Sequence, residues 1–479
     1  MMLIKRLCQT VALVALAIST QACAESKQTT GVEQERKAEA RELLEELITF
    51  RTVKGFGQVP AMVNVLEERL KTAGFSNEDI IKVPLTIDGE EVEGLIVRYS
   101  GEENSDKSAI AFLAHMDVVD ALPENWDTDP YTPVEKDGYL YGRGSQDNKF
   151  GVALLVTTFA NLKEEGFKPN RDLYLAFSGD EETGMLTTRE ILKTPEIKSV
   201  EFALNSDAGG GTITKDGKPV SFTMQAAEKT FATYIITAKS AGGHSSAPGL
   251  DNAIYDLAHA LTKIESHEFP VEFNEITRAM AKSVAAREGG ELAEALNTLM
   301  SDPANREAIE VIKAYPQYSH MLWTTCVATM LRAGNAENAL PQSANATVNC
   351  RIMPGTSAEE VRGVLIDTMK NDELVVTLQR GSVESPASPI REDIMGALQR
   401  AVAVNYPGVK LQPVMSSGGT EGREYRSVGI PTYGAGSLGL VRPEDSRAHG
   451  INERIRLDSY DKELTYWDTL IRDLAQGTD

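Results

Sequence analysis

The chain has few of the residues that staple small scaffolds together or grip nucleic acid. Four cysteines are spread over 479 residues, and two of them, Cys8 and Cys23, fall within the first two dozen positions. That excludes a disulfide framework, and the remaining Cys326 and Cys350 lack the C-x-x-C spacing of a metal pair. Cations are outnumbered 48 to 70, for a formal net charge of −22. Such a balance argues against nucleic acid and anionic membrane surfaces as partners. It also requires that an anionic substrate be caught by locally placed cations. The apolar run from Leu7 to Ile18 is too short to span a bilayer stably. No internal repeat or low-complexity stretch appears. Histidine is scarce, with six in the chain, so each can be weighed singly. The rest is ordinary for a globular protein, at 42% hydrophobic and 25% charged residues. The length suits two or three domains.

The N-terminus reads as a targeting segment. Lys5 and Arg6 precede the apolar run, and Ala22-Cys23-Ala24 fits an A-x-A cleavage site. A signal peptide over 1–24 predicts an exported protein, periplasmic or secreted. Two rivals are a buried N-terminal helix and a lipid anchor at Cys23. The leucine usual three positions before a lipidated cysteine is absent, Thr20 standing there.

Periodicity predicts helices at Glu33 to Phe50, Val59 to Ala73 and Phe150 to Glu165, with strands at Glu91 to Tyr99, Ser108 to Ala114, Leu173 to Phe177 and Phe202 to Leu204. Strands alternating with helices argue for an α/β sheet. Near Glu228 the pattern changes. A strand at Thr230 to Ser240, a helix at Leu250 to Ser266, strands at Met321 to Leu331 and Ala344 to Met353, a helix at Ser357 to Lys370 and a strand at Glu373 to Arg380 form a β-α-β-β-α-β unit. Phe269 to His320 reads as helices added to that unit. The α/β pattern then returns, with a helix at Asp393 to Val404, strands at Val409 to Val414 and Pro431 to Tyr433, and a helix at Ser459 to Leu474. The expected division is 36–227 and 383–479 for a catalytic domain and 228–382 for a smaller inserted one. Pairing of the two middle strands would set Cys326 against Cys350. Bonded and free thiols both remain open, because directly opposed cysteines do not always meet disulfide geometry.

The chemistry concentrates between Ile110 and Asp207. Strand-like runs there end in His115 and Asp117, in Glu181 and Glu182, and in Asp207, while a glycine-rich turn carries Asp147. In an open α/β sheet such ends converge on one crevice. His115 and Asp117, two apart on an extended chain, face the same way. Asp147 could reach between two cations or simply cap the helix after it. Glu181 and Glu182 follow Asp180, and three adjacent acids in a pocket call for a cation, though a solvated acidic turn is the plainer alternative. In the functional reading one glutamate binds metal and the other takes a proton from metal-activated water. Asp207 and His449 would complete two sites of oxygen and imidazole ligands, a set that suits zinc. His244, in a glycine-flanked loop of the inserted unit, could stabilise an oxyanion. His259, His267 and His320 have no assigned role.

Taken in order, AHMDVVD, WDTDPYTPVEKDGYLYGRGSQDNKFG, SGDEETG, GGHSSAP, NALPQSANATVNCRIMPG and SGGTEGREY resemble the zinc metallopeptidase family of acetylornithine deacetylase, succinyl-diaminopimelate desuccinylase, aminoacylase and carboxypeptidase S. The long insertion most resembles the carboxypeptidase S branch, which includes secreted N-acyl amino acid hydrolases. The resemblance implies a mixed-sheet catalytic domain with a ferredoxin-like lid or dimerisation domain. It implies two zinc ions, with cobalt or manganese as alternatives. Asp147 would bridge them, His115 and Asp207 holding one and Glu182 and His449 the other. Glu181 would be the general base and Asp117 would orient His115. His244 would polarise the scissile carbonyl, supplied by the second subunit in dimeric members. Arg351 and Asn338, with the turn at Gly418, Gly419 and Thr420, would hold a substrate carboxylate. The peptide bond after Asp147 would be cis. Asn148, Asp120 and Glu421 depart from the commoner residues but remove no presumed ligand.

The expectation is an exported two-zinc hydrolase that cuts the amide bond next to a free carboxylate through a bridging hydroxide. Its substrate would be a small peptide or an N-acyl amino acid, and the helices at Phe269 to His320 leave both a monomer and a homodimer open. The contrasting expectation is a non-catalytic periplasmic binder of peptide or metal.

Overall fold

The computed structural model describes residues 31–103, 105–379 and 383–476. The signal segment 1–24, with its rival lipid site at Cys23, lies outside the described residues, as does the end of the strand expected at Glu373 to Arg380. No described helix is long and apolar enough to cross a membrane.

The centre of the fold is the strand Ala109–His115, AIAFLAH, buried at every position. It runs parallel to Leu173–Ser178 on one side and to Val200–Ile213 on the other. A strand covered on both faces is apolar throughout rather than alternating, and this one still sorts its side chains by parity. Ile110, Phe112 and Ala114 pack with the helices Lys149–Glu164 and Leu457–Gln476. Ala109, Ala111 and Leu113 pack with Tyr425, Ile191 and Ile197 on the opposite face. The mixed eight-stranded sheet runs Ile80–Ile87, Glu90–Tyr99, Leu173–Ser178, Ala109–His115, Val200–Ile213, Thr432–Leu440, Pro219–Glu228, Leu411–Ser416.

Two of its strands, Ile80–Ile87 and Pro219–Glu228, were not expected from periodicity. A third, expected only at Phe202 to Leu204, runs from Val200 to Ile213. Its second half, DAGGGTI, lacks apolar alternation because it is held by backbone pairing to Thr432–Leu440 and Pro219–Glu228.

The inserted unit is a four-stranded antiparallel sheet in the order Thr325–Ala333, Ser343–Ile352, Thr230–Lys239, Val375–Leu378. The helices Ala253–Glu265 and Ala358–Met369 cover one face of it. Asn252 caps the first, and Ser357 with Glu360 forms a capping box on the second. Cys326 and Cys350 are partners in register and form a disulfide. The strand expected from Met321 begins instead at Thr325. The segment before it is a turn, with Met321 and Leu322 buried and the carbonyls of His320 and Trp323 accepting from the Lys229 ammonium.

The helices of the extra segment are Glu275–Glu288, Gly290–Ser301, Arg306–Lys313 and Pro316–Ser319. They do not belong to the small sheet alone, against the expectation from sequence. They share a core of their own, and Glu275–Glu288 lies against the large-sheet strand Leu411–Ser416. Its Ile276 is fully buried in the core of the large sheet, with Met280 packed beside it.

Candidate metal centre

His115 ends the central strand and is buried. Its Nδ1 lies 3.0 Å from the Asp117 backbone carbonyl. A carbonyl can only accept, so Nδ1 carries the hydrogen and the Nε2 lone pair faces the pocket, the tautomer a metal ligand needs. Nε2 lies 3.0 Å from Asp147 Oδ1 and 3.7 Å from Asp207 Oδ1. The Asp117 carboxylate is 3.6 Å from the ring and accepts instead from the Glu181 and Glu182 backbone N–H groups, at 2.9 and 3.0 Å. Asp117 thus meets the imidazole through its backbone, and its side chain fixes the turn that presents both glutamates.

That turn sorts its three acids. Asp180 faces away from the pocket and accepts from the backbone N–H groups of Leu186 and Thr187, both at 2.8 Å. Glu181 and Glu182 remain for the centre. Opposite them, His449 Nε2 sits 2.9 Å from Glu182 Oε1 and 3.0 Å from Asp147 Oδ2. One oxygen of Asp147 therefore meets each histidine. The peptide bond between Asp147 and Asn148 is cis. Asn148 donates to Asp207 Oδ1 at 3.1 Å and accepts from Ser206 Oγ at 3.0 Å, which orients Asp207.

The electrostatics show the strain of gathering these carboxylates. Burial, with Asp207, Asp117 and Glu182 nearby, pushes Glu181 well above the usual carboxyl range. Burial and the neighbouring Asp147 raise Asp207 to about 6. Burial would raise Asp147 too, but the two imidazoles hold it well below its ordinary value. Hydrogen bonds donated to the Asp147 and Glu182 carboxylates lift His449 to about 10. Each imidazole Nε2 lies against carboxylate oxygens, and carboxylates gathered this closely are relieved by a cation. His115, Asp147 and Glu182 offer ligand atoms all within 4.8 Å of one another. An oxygen and imidazole set of this kind fits divalent metal.

The other expected residues lie apart from this cluster. His244 is exposed and pairs with Ala339 in a short ladder. Its Nδ1 accepts from Ser246 N at 3.2 Å, and the Asn338 carbonyl accepts from Ser245 N at 3.0 Å. Among the described residues, no hydrogen bond or ion pair joins either to the metal cluster. Arg351, on the small sheet, stacks over Phe231 and reaches the large domain, donating to the Ser417 carbonyl at 3.0 Å. It thereby meets the 418–420 turn. Thr420 spends both its donors on Glu228, N–H at 3.1 Å and hydroxyl at 2.7 Å, and Gly419 lies against the Arg423 side chain.

Sequence reasoning missed the supports. The buried Glu453 carboxylate accepts from the backbone N–H groups of Gly144, Gln146 and Asp147, at 3.1, 2.7 and 3.2 Å, and pairs with Arg143. Its one signal is its place four residues after His449. Gln146 and Asn148, the two neighbours of Asp147, carry no chemical signature by themselves.

Residues 111–473 match the model of peptidase family M20/M25/M40. The chain belongs to this family. It is 28% identical over 382 residues to the N-fatty-acyl-amino acid synthase/hydrolase PM20D1 of Xenopus tropicalis, covering 77% of this chain and 73% of that one. It is 28% identical over 398 residues to the probable carboxypeptidase S-like 2 of Dictyostelium discoideum, covering 79% and 74%. In fold it is similar to the M20 family metallo-carboxypeptidase Sso-CP2 from Sulfolobus solfataricus, with a TM-score of 0.67 at 18% identity, covering 91% of this chain and 98% of that one. As an M20 peptidase the chain is a hydrolase acting on peptide or amide bonds.

Proposed function

We propose that this M20 hydrolase is exported, uses two zinc ions, and cuts the amide bond next to a free carboxylate in a small peptide or an N-acyl amino acid. The observation that carries the proposal is Asp147, whose two carboxylate oxygens each lie 3.0 Å from a different imidazole. His115 and Asp207 would hold one ion, Glu182 and His449 the other, and Asp147 both. Bound there, the ions would acidify a water and polarise the scissile carbonyl. Glu181, buried beside them, would take the proton of that water and return it to the leaving amine nitrogen. Arg351 supports the carboxylate preference, because its guanidinium is a fixed bidentate fork beside the turn at Ser417 to Thr420. In a homodimer His244 would polarise the scissile carbonyl of substrate held in the second copy's site.

The test is amine release by zinc-loaded protein on free dipeptides, blocked dipeptides and long-chain acyl amino acids, each with and without a C-terminal amide. Release is expected only from free carboxylates. In Glu181→Gln it should fall about 10²- to 10⁴-fold with metal content unchanged. Near-normal turnover in that variant would overturn the mechanism. No release from any substrate at full metal loading would favour a binding protein.

A further inference from the structure

The two histidines of the centre are held in very different ways. His115 ends a buried central strand, and its ring is locked by the Asp117 carbonyl at 3.0 Å. His449 sits on a loop with a left-handed backbone, φ 61°, a region that non-glycine residues adopt rarely. Its side chain is 53% exposed. Beyond the carboxylates of Asp147 and Glu182, nothing among its described polar contacts fixes the ring.

Arg143 donates to the Gly450 carbonyl at 3.2 Å and Asn452 pairs with Asp127 further along, but Gln146 holds the residues just before the ring. This residue precedes Asp147, and its amide is fully used on the 445–454 segment. Nε2 donates to the carbonyls of Asp445 and Arg454, at 2.7 and 3.2 Å. Oε1 accepts from the backbone N–H groups of Arg447 and Ala448, both at 3.0 Å. These are the two residues before His449. The lacing also runs in the other direction, since Glu453 reaches back to the N–H groups of Gly144, Gln146 and Asp147.

We propose that Gln146 is a positioning residue that sets the place of His449 and thereby the affinity of one metal site, without ligating metal itself. The inference rests on the two-metal reading. It adds that the two sites are unequal, one built into a strand and the other hung on a side-chain clasp. Outer partners of metal ligands commonly carry tenfold to hundredfold of the affinity, and here a single amide makes all four bonds.

The test is titration of zinc alone into metal-stripped mature protein, with a competing chelating dye. Wild type should bind two equivalents. In Gln146→Met, similar in length but without hydrogen bonds, one equivalent should keep its Kd within threefold while the other weakens tenfold or more, as in His449→Ala. General destabilisation would weaken both sites, so the split is the decisive readout. Cobalt loading should lose the absorption of one site and keep that of the other. If Gln146→Met does not fold, Gln146→Asn, whose amide is one methylene short of its partners, carries the same expectation. Two equivalents of unchanged Kd in the folded variant would overturn the clasp and leave the two-metal reading standing. Fewer than two equivalents in wild type would overturn both.

Discussion

Arg351 crosses from the small sheet to the Ser417 carbonyl of the large domain, and burial pulls its guanidinium below the usual arginine range. A desolvated cation facing a turn is poised for an anion, and an anionic ligand needs such a cation in a chain of net charge −22. Arg351→Ala should raise KM at least tenfold for a free-carboxylate substrate and narrow its preference over the matching amide. An unchanged preference would remove Arg351 from substrate recognition. At this scale the sequence exposed the groups that carry charge or a lone pair, because His115, Asp147, Glu182, Asp207 and His449 are chemically conspicuous. It concealed Gln146, Asn148 and Glu453. Their work depends on which backbone groups lie opposite, and only the folded loops supply those. It left the Asp117 contact open, since H-x-D spacing does not say whether carbonyl or carboxylate meets the ring.

Among the elements, buried strands that read as apolar runs were legible, and strands held by backbone pairing were not. Thr230–Lys239 alternates cleanly in burial, which periodicity can detect. The extension of Val200–Ile213 past Asp207, AGGGTI, is half glycine and carries no such pattern. Helix Leu457–Gln476 shows what pairing between elements adds. Its Glu463 is buried and accepts the Ser437 backbone N–H at 2.9 and 3.0 Å, and burial lifts its carboxyl to about 7. The folded protein therefore keeps a proton there after the unfolded chain has lost its own near 4.5. The resulting stability is fully present below about 4.5 and is lost as pH rises toward about 7, by up to about 3 kcal/mol. Unfolding of wild type and Glu463→Gln across this range should show the slope reduced in the variant. Equal slopes would mean that Glu463 titrates alike in both states.

For the molecule as a whole, the inserted segment was visible as an interruption of the α/β pattern. Its attachment was not. The chain leaves the large sheet after Glu228 and returns so close by that Ser388 N–H donates to the Ala226 carbonyl at 2.8 Å. A segment entered and left at one place could swing about that place. Here Glu275–Glu288 prevents it by burying Ile276 in the core of the large sheet. Sequence patterning could show that this helix has an apolar stripe, but not which of two sheets the stripe would meet. The consequence is kinetic. Swinging the small sheet open would drag an aliphatic side chain out of a packed interior on every cycle, so this enzyme should work without a gate. Its small-angle scattering profile should be the same with the site empty and with Glu181→Gln saturated by substrate, and its turnover should be insensitive to solvent viscosity. Ile276→Asp, which cuts the brace, should make both respond.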